Sequence, residues 1–243
     1  MCMVVLLTDF GDSEYVGVVK AVIYRAAPQA GLVDLCHSIG PQSVIEAAWV
    51  LKCNYRYFPK GSTFCCVVDP GVGTERRALA ARTESYYFVG PDNGLLWEAL
   101  KEQDIVEIRH IPIPADAART FHGRDVFAKA AAQISLGNFN KTGRKIRRIK
   151  KLEFYKQGRK GVIVRIDSFG NIVTNLEKQK KKRYSVVVAG KKHTLEYYPD
   201  YSSAKPGQLF LIEGSGNTLE ISLKQGNANQ RMGLIPGQGI EIS

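Results

Sequence analysis

Asp69, Arg76 and His122 are the residues of this chain best suited to chemistry. Asp69 ends an apolar run and opens a glycine-rich loop, Cys65-Cys66-Val67-Val68-Asp69-Pro70-Gly71-Val72-Gly73-Thr74-Glu75-Arg76-Arg77. His122 stands in Thr120-Phe121-His122-Gly123-Arg124-Asp125, ahead of an apolar helical run. A carboxylate, a fixed cation and an imidazole on loops beside rigid elements are the parts needed to move a proton to or from water. The flanking glycines let backbone approach a ligand closely. A structural Asp–Arg pair and a satisfied histidine would leave the same trace. The common setting of the three is what favours chemistry.

Two more acids sit where strands should end. Asp9 follows the first apolar run in Leu6-Leu7-Thr8-Asp9-Phe10-Gly11, and Asp92 lies in Gly90-Pro91-Asp92-Asn93-Gly94. In an open parallel sheet ligands bind beyond the carboxyl ends of the strands, so Asp9 and Asp69 can line one crevice. A carboxylate there can hold a ribose diol, chelate a metal or orient water. Each acid can equally cap the next turn or helix. Between proline and Asn-Gly, Asp92 reads first as a turn residue.

The second half holds Asp167-Ser168-Phe169-Gly170-Asn171-Ile172-Val173-Thr174-Asn175. Phe169 could stack on a base and the Asn171 amide could read an adenine edge. A β-bulge with the asparagine holding its own backbone is the alternative. Gly214-Ser215-Gly216-Asn217 and Gly226-Asn227-Ala228 read as turns, or as backbone donors for a carboxylate or base. No glycine loop has phosphate-loop spacing and no G-x-G-x-x-G opens a helix. There is no G-x-S-x-G elbow. His37, His110 and His193 share no metal-ligand spacing and read as structural or surface residues. A covalent nucleophile is not favoured, and no metal site is expected.

The totals narrow the class. The chain has 243 residues, 44% apolar and 23% charged, the composition of an ordinary globular protein with room for one large or two modest cores. No apolar run reaches the ~18 residues of a membrane helix. The start, Met1-Cys2-Met3-Val4-Val5, reads as a first strand and not as a signal peptide. Five cysteines (Cys2, Cys36, Cys53, Cys65, Cys66) show no C-x-x-C spacing, which fits reduced, mostly buried thiols in the cytoplasm. The net charge of +11 is unevenly spread. Residues 1–140 carry 13 Lys/Arg against 15 Asp/Glu, and residues 141–243 carry 21 against 8. The excess lies in Lys141 to Lys160 and in Lys178, Lys180, Lys181, Lys182 and Arg183. Such runs can bind nucleic acid or an acidic surface, or simply keep a linker and a loop solvated. No aromatic interleaving accompanies them.

The elements that would hold these residues alternate at first. Met3 to Leu7, Gly31 to Cys36, Thr63 to Val68 and Ile105 to Ile111 read as strands. Glu14 to Ala27, a Ser43-capped helix to about Tyr57, a short helix from Asn93 to Leu100, and Arg124 to Leu136 before Gly137 read as helices. Ala78 to Val89 reads as a hairpin. The succession predicts a mainly parallel sheet flanked by helices. Beyond residue 160 the signals are strands: 162–166, 184–188 with 193–198, 208–212 with 218–223, and 239–242. The expected organisation is an α/β domain over 1–145, a basic linker over 146–160, and a small all-β, barrel-like domain over 161–243.

Taken together, the loops resemble the S-adenosylmethionine hydroxide adenosyltransferases, relatives of the fluorinating and chlorinating enzymes that attack the same substrate. The matching pieces run in order: Leu-Leu-Thr-Asp-Phe-Gly at 6–11, Tyr-Val-Gly-Val-Val-Lys at 15–20, Val-Asp-Pro-Gly-Val-Gly at 68–73, Gly-Pro-Asp-Asn-Gly at 90–94, Thr-Phe-His-Gly-Arg-Asp at 120–125, Phe-Gly-Asn at 169–171 and Gly-Asn-Ala at 226–228. The resemblance implies a homotrimer with substrate between one subunit's first domain and a neighbour's second. It implies that Asp69, Arg76 and His122 form the family's Asp-Arg-His set, that Asp9 holds ribose and that Asn171 holds adenine. Phe210, Ser215 and Ala228 would lie along the adenine and methionine ends. No cofactor is implied, because S-adenosylmethionine is the substrate. Two departures stand out: the segment Gly11 to Tyr15 is a residue shorter than the usual loop, and Lys129 stands where proline is common.

The chemistry so implied is attack of water at C5′ of the sulfonium substrate, giving adenosine and methionine. Asp69 would accept a hydrogen bond from that water, Arg76 would keep Asp69 ionised, and His122 would orient the pair or relay the proton. Three rivals remain at this point. Halide attack at C5′ would need a nucleophile site without a carboxylate. A metal-dependent phosphoesterase would use Asp9, Asp69, Asp92 and His122. A nucleic-acid-binding protein would use the basic second domain.

Overall fold

The computed structural model describes residues 3–243. Met1 and Cys2 lie outside the described residues, so the expectation for the Cys2 thiol is not addressed. The chain divides into two compact units after Glu153, inside the basic segment.

The first unit is built on a seven-stranded sheet: β1 (Met3–Thr8), β2 (Gly31–Cys36), β3 (Thr63–Val67), β4 (Ala78–Thr83), β5 (Tyr87–Pro91), β6 (Ile105–Ile111) and β7 (Arg144–Ile146), in the order β2-β1-β3-β5-β4-β6-β7. Pairing is parallel from β2 through β5. It turns antiparallel from β4 to the β7 edge. Helices α1 (Glu14–Ala26) and α4 (Ala128–Ser135) pack on one face around Val4, Leu6, Cys65 and Val67. Helices α2 (Val44–Asn54) and α3 (Trp97–Leu100) pack on the other, around Val5, Leu7, Phe64 and Cys66. Cys65 and Cys66 therefore face opposite cores, as alternation in a strand requires. Cys36 and Cys53 are only partly buried, so the thiols are less buried than the sequence suggested.

Three local differences from the sequence reading have physical causes. The helix expected over 93–100 is one turn, because Gly94 takes φ 98° and the Asn93 side chain accepts from the Leu95 N–H. Ser43 precedes α2 without capping it through its side chain, and residues Tyr55–Tyr57 continue as a 3-10 turn. The helix expected from Arg124 begins as a π-helical turn, Gly123–Phe127, directly after His122. The three-residue β7, two of them cations, gave no strand signal and exists by pairing with β6.

The second unit is a closed barrel of β8 (Lys160–Ile166), β9 (Ile172–Thr174), β10 (Arg183–Val188), β11 (Lys191–Tyr197), β12 (Leu209–Glu213), β13 (Leu219–Leu223) and β14 (Gly239–Ile242). The β10–β11 turn is only Ala189-Gly190, both at positive φ, the geometry that suits twisted hairpins. Alternate residues Leu211, Leu219 and Ile221 fill the interior with Ile163, Ile172 and Tyr184. A short helix α5 (Ala228–Met232) is capped by the Asn227 side chain, which accepts from Gln230 N. No described helix is long and apolar enough to cross a membrane.

Candidate active site

Register decides which loops meet. Thr8 of β1 lies beside Val67 of β3, so Asp9 and Asp69 leave adjacent strands at the same sheet edge. Beyond β3 the chain turns tightly, with Val72 N donating to Asp69 O and Thr74 N to Gly71 O. This turn returns Arg76 to Asp69. Gly73 permits it: its φ is 78°, and a Cβ there would lie 2.6 Å from the Arg119 carbonyl oxygen.

The three predicted residues form one connected group. Arg76 Nε donates to both Asp69 oxygens at 2.9 Å, and Arg76 Nη2 donates to Asp69 Oδ2 as well. Arg76 Nη2 also lies 2.7 Å from His122 Nδ1. A guanidinium can only donate, so Nδ1 is the acceptor and the neutral ring carries its proton on Nε2. Burial first, and then the Arg76 charge, push the His122 pKa below its ordinary value of 6.5. The side chains of Asp69 and Arg76 are 6% and 9% exposed, and His122 is 3% exposed. The guanidinium stacks over Phe127, and its Nη1 is buried without a protein partner among the described residues. The neutral imidazole is thus an oriented donor at Nε2.

Neighbouring groups fix this arrangement. Asp9 Oδ2 accepts from Gln42 N at 2.8 Å, and Gly11 N donates to His37 O. His37, unassigned by its spacing, lies with Nδ1 2.8 Å from Thr8 Oγ1, so it braces the Asp9 loop. Gly123 packs against Phe10 and Phe121 at about 3.2 Å from where its Cβ would be, tying the Asp9 and His122 loops together. Asp92 is not the turn residue the sequence suggested. Its carboxylate is paired with Arg77 and accepts from Lys150 N at 2.7 Å. Asn93 takes the turn role and donates from Nδ2 to Val68 O, bracing the residue before Asp69. Among the described residues no group of three or more His, Cys, Asp or Glu gathers as a metal-binding set.

In the barrel unit the fold joins two of the short motifs. Gly170 has φ 81°, a Cβ there would lie 2.0 Å from Asn227 Cγ, and Asn229 N donates to Gly170 O. Asp167 holds the loop: Oδ1 accepts from Phe169 N and Asn171 N, and Oδ2 accepts from Asn171 Nδ2 at 2.9 Å. Phe169 is 76% exposed, Ser215 is exposed, and Asn171 and Ala228 are buried. Phe210 is fully buried, packed under Tyr198 and Tyr201. Tyr201, with its hydroxyl 3.4 Å from Asn171 Nδ2, is 47% exposed. Burial first, and then the Asp167 charge, push the Glu220 carboxyl up to about 7. Tyr201 and Glu220 carried no motif signal, and Asp167 appeared only as the first residue of the 167–175 run. They come together only when β8, β13 and the 198–203 turn pack.

Known proteins resemble this chain over nearly its whole length. The S-adenosylmethionine hydroxide adenosyltransferase N-terminal domain matches residues 4–143, and the corresponding C-terminal domain matches residues 161–241. A relative from Thermus thermophilus named (R)-S-adenosyl-L-methionine hydrolase is 34% identical, with 98% of each chain covered. A solved structure of an uncharacterized conserved protein from Thermotoga maritima superposes with a TM-score of 0.90 at 33% identity, covering 99% of this chain and 100% of that one. A fluorinase from an Actinoplanes species is 27% identical over 72% of each chain.

Proposed function

The chain belongs to the S-adenosylmethionine hydroxide adenosyltransferase family, and from that membership we infer that it hydrolyses S-adenosyl-L-methionine at C5′, releasing adenosine and L-methionine. The observation that carries the reading is the closed Asp69–Arg76–His122 group at the sheet edge. The sulfonium makes C5′ electrophilic and leaves as neutral methionine, so water needs only alignment and loss of a proton. The Asp69 carboxylate, steadied by Arg76, keeps lone pairs to accept from that water. General-base help of this kind contributes roughly 10²–10⁴-fold. The neutral His122 ring suits an orienting role: its Nδ1 is occupied by Arg76, and Nε2–H can only donate. The bond from oxygen to C5′ forms as the C5′–S bond breaks, and the proton passes toward Asp69.

Asp9 would hold the ribose diol, and Asn171 an adenine edge. Phe210 would act through Tyr201, whose ring covers it, with Ser215 and Ala228 toward the ends of the substrate. The site is read as completed between subunits of a homotrimer, in the cytoplasm, without a metal or other cofactor. A carboxylate at the nucleophile position repels an incoming anion, which favours water over halide. The test is incubation with S-adenosylmethionine in oxygen-18 water. Label in the 5′-hydroxyl of adenosine supports the reading, and a 5′-halo product or unlabelled adenosine ends it. Activity unchanged by chelators is expected, and sedimentation should give a threefold mass.

A further inference from the structure

The lysine run that the sequence left unassigned acquires aromatic neighbours in the fold. We propose that loop 178–183 and the adjoining end of β11 bind single-stranded nucleic acid, using none of the residues assigned to the adenosyl reaction. The lysines and Arg183 line a cavity of about 870 Å³ in the barrel unit together with Tyr197 and Tyr198. The sequence showed no aromatics interleaved with the cations. The β10–β11 hairpin supplies them from the next strand.

The wall is built in advance. The fully buried Tyr184 hydroxyl accepts from Gln179 N at 2.9 Å and donates to Gln179 O at 2.7 Å. Tyr197 N donates to Lys182 O at 2.9 Å. Lys178 pairs with Glu213 and lies 5.7 Å over the Tyr197 ring, and Arg183 pairs with Glu196. Lys180, Lys181 and Lys182 remain exposed, with no carboxylate partner among the described residues. One small phosphate would engage one or two of these ammonium groups. A run of phosphates engages all three, while tyrosine rings and lysine stems give a base an apolar surface to stack on. Residues 154–243 carry 14 Lys/Arg against 7 Asp/Glu, and that positive excess draws a polyanion toward this unit.

The test is fluorescence anisotropy of a labelled 12-nucleotide single-stranded RNA with the full chain, across about 50–200 mM salt. The wild type should bind saturably. The triple variant Lys180→Ala/Lys181→Ala/Lys182→Ala should weaken binding at least about tenfold and flatten the slope of log K against log salt by about 2, since each single-strand phosphate contact contributes about 0.7. Tyr197→Leu should weaken binding about fivefold or more while leaving the salt slope unchanged. Arg144→Ala/Arg147→Ala/Arg148→Ala, an equal charge loss in the other basic segment, should change affinity less than twofold. Adenosine formation by each variant reports its fold independently. Absence of saturable binding by the wild type overturns the proposal. So does equal weakening by the two triple variants, or tighter binding of base-free polyphosphate than of RNA with no effect of Tyr197→Leu.

Discussion

The two units solve opposite problems. In the α/β unit the charged groups satisfy one another before any substrate arrives: Asp69, Arg76 and His122 are interlocked and nearly sealed. In the barrel unit the 167–171 loop is scaffolded, but rings beside it stay accessible. Asp167 fixes the loop through backbone donors, while Phe169 stands largely in solvent and Tyr201 is about half exposed. Preorganised donors and acceptors lower a barrier without reorganising at the moment of reaction. Exposed rings gain affinity only when something covers them. The first unit should therefore govern turnover and the second should govern affinity.

The hardest test of that division is Asp69→Asn. It should cut kcat by about 10²–10⁴-fold, while calorimetry finds adenosine affinity changed only a few-fold. Parallel losses in both would erase the contrast. Next comes Glu220→Gln. The folded pKa is raised from 4.5 to about 7, so the folded state prefers the protonated acid. Stability from that preference is full below pH 4.5 and is lost as pH rises through 7. Chemical denaturation should find the glutamine variant more stable at pH 8, by up to about 3 kcal/mol, and little changed at pH 4.5. A variant less stable at pH 8 would mean the ionised group is held by Arg165. Phe169→Ala should raise KM by about 5- to 150-fold with kcat retained, the range of one lost base stack. A fall in kcat instead would bring the barrel loop into the chemistry. The smallest effect is in the pH profile. His122 stays neutral below its ordinary 6.5, so the acid limb of kcat should fall below pH 6.5 and move upward when Arg76→Lys weakens the hold on Nδ1. An acid limb above 6.5 in the wild type would make the ring a proton acceptor.

Local patterns carried much of this architecture. Apolar runs marked β1 and β3, and the break between 184–188 and 193–198 marked a hairpin, because those signals act over a few residues. The structure shortens the turn of that hairpin to 189–190. The Asp-Arg-His group was also legible, since each member sits on a loop beside a strong element. What stayed hidden depends on distant packing. Asp92 looked like a turn residue because Pro-Asp-Asn-Gly says nothing of Arg77. Glu220 in β13 and Tyr201 in the 201–203 turn matched no motif. The bracing roles of His37 and Asn93 required knowledge of which strands are neighbours.

The close approach of Gly73 to the Arg119 carbonyl has a dynamic consequence. The turn bearing Arg76 and the strap leading to His122 are stitched at a point where no side chain can be inserted. Parting the acid from the imidazole would first have to open this contact. Hydrogen exchange should accordingly show residues 71–76 and 117–123 opening together, with the same free energy and at the same rate.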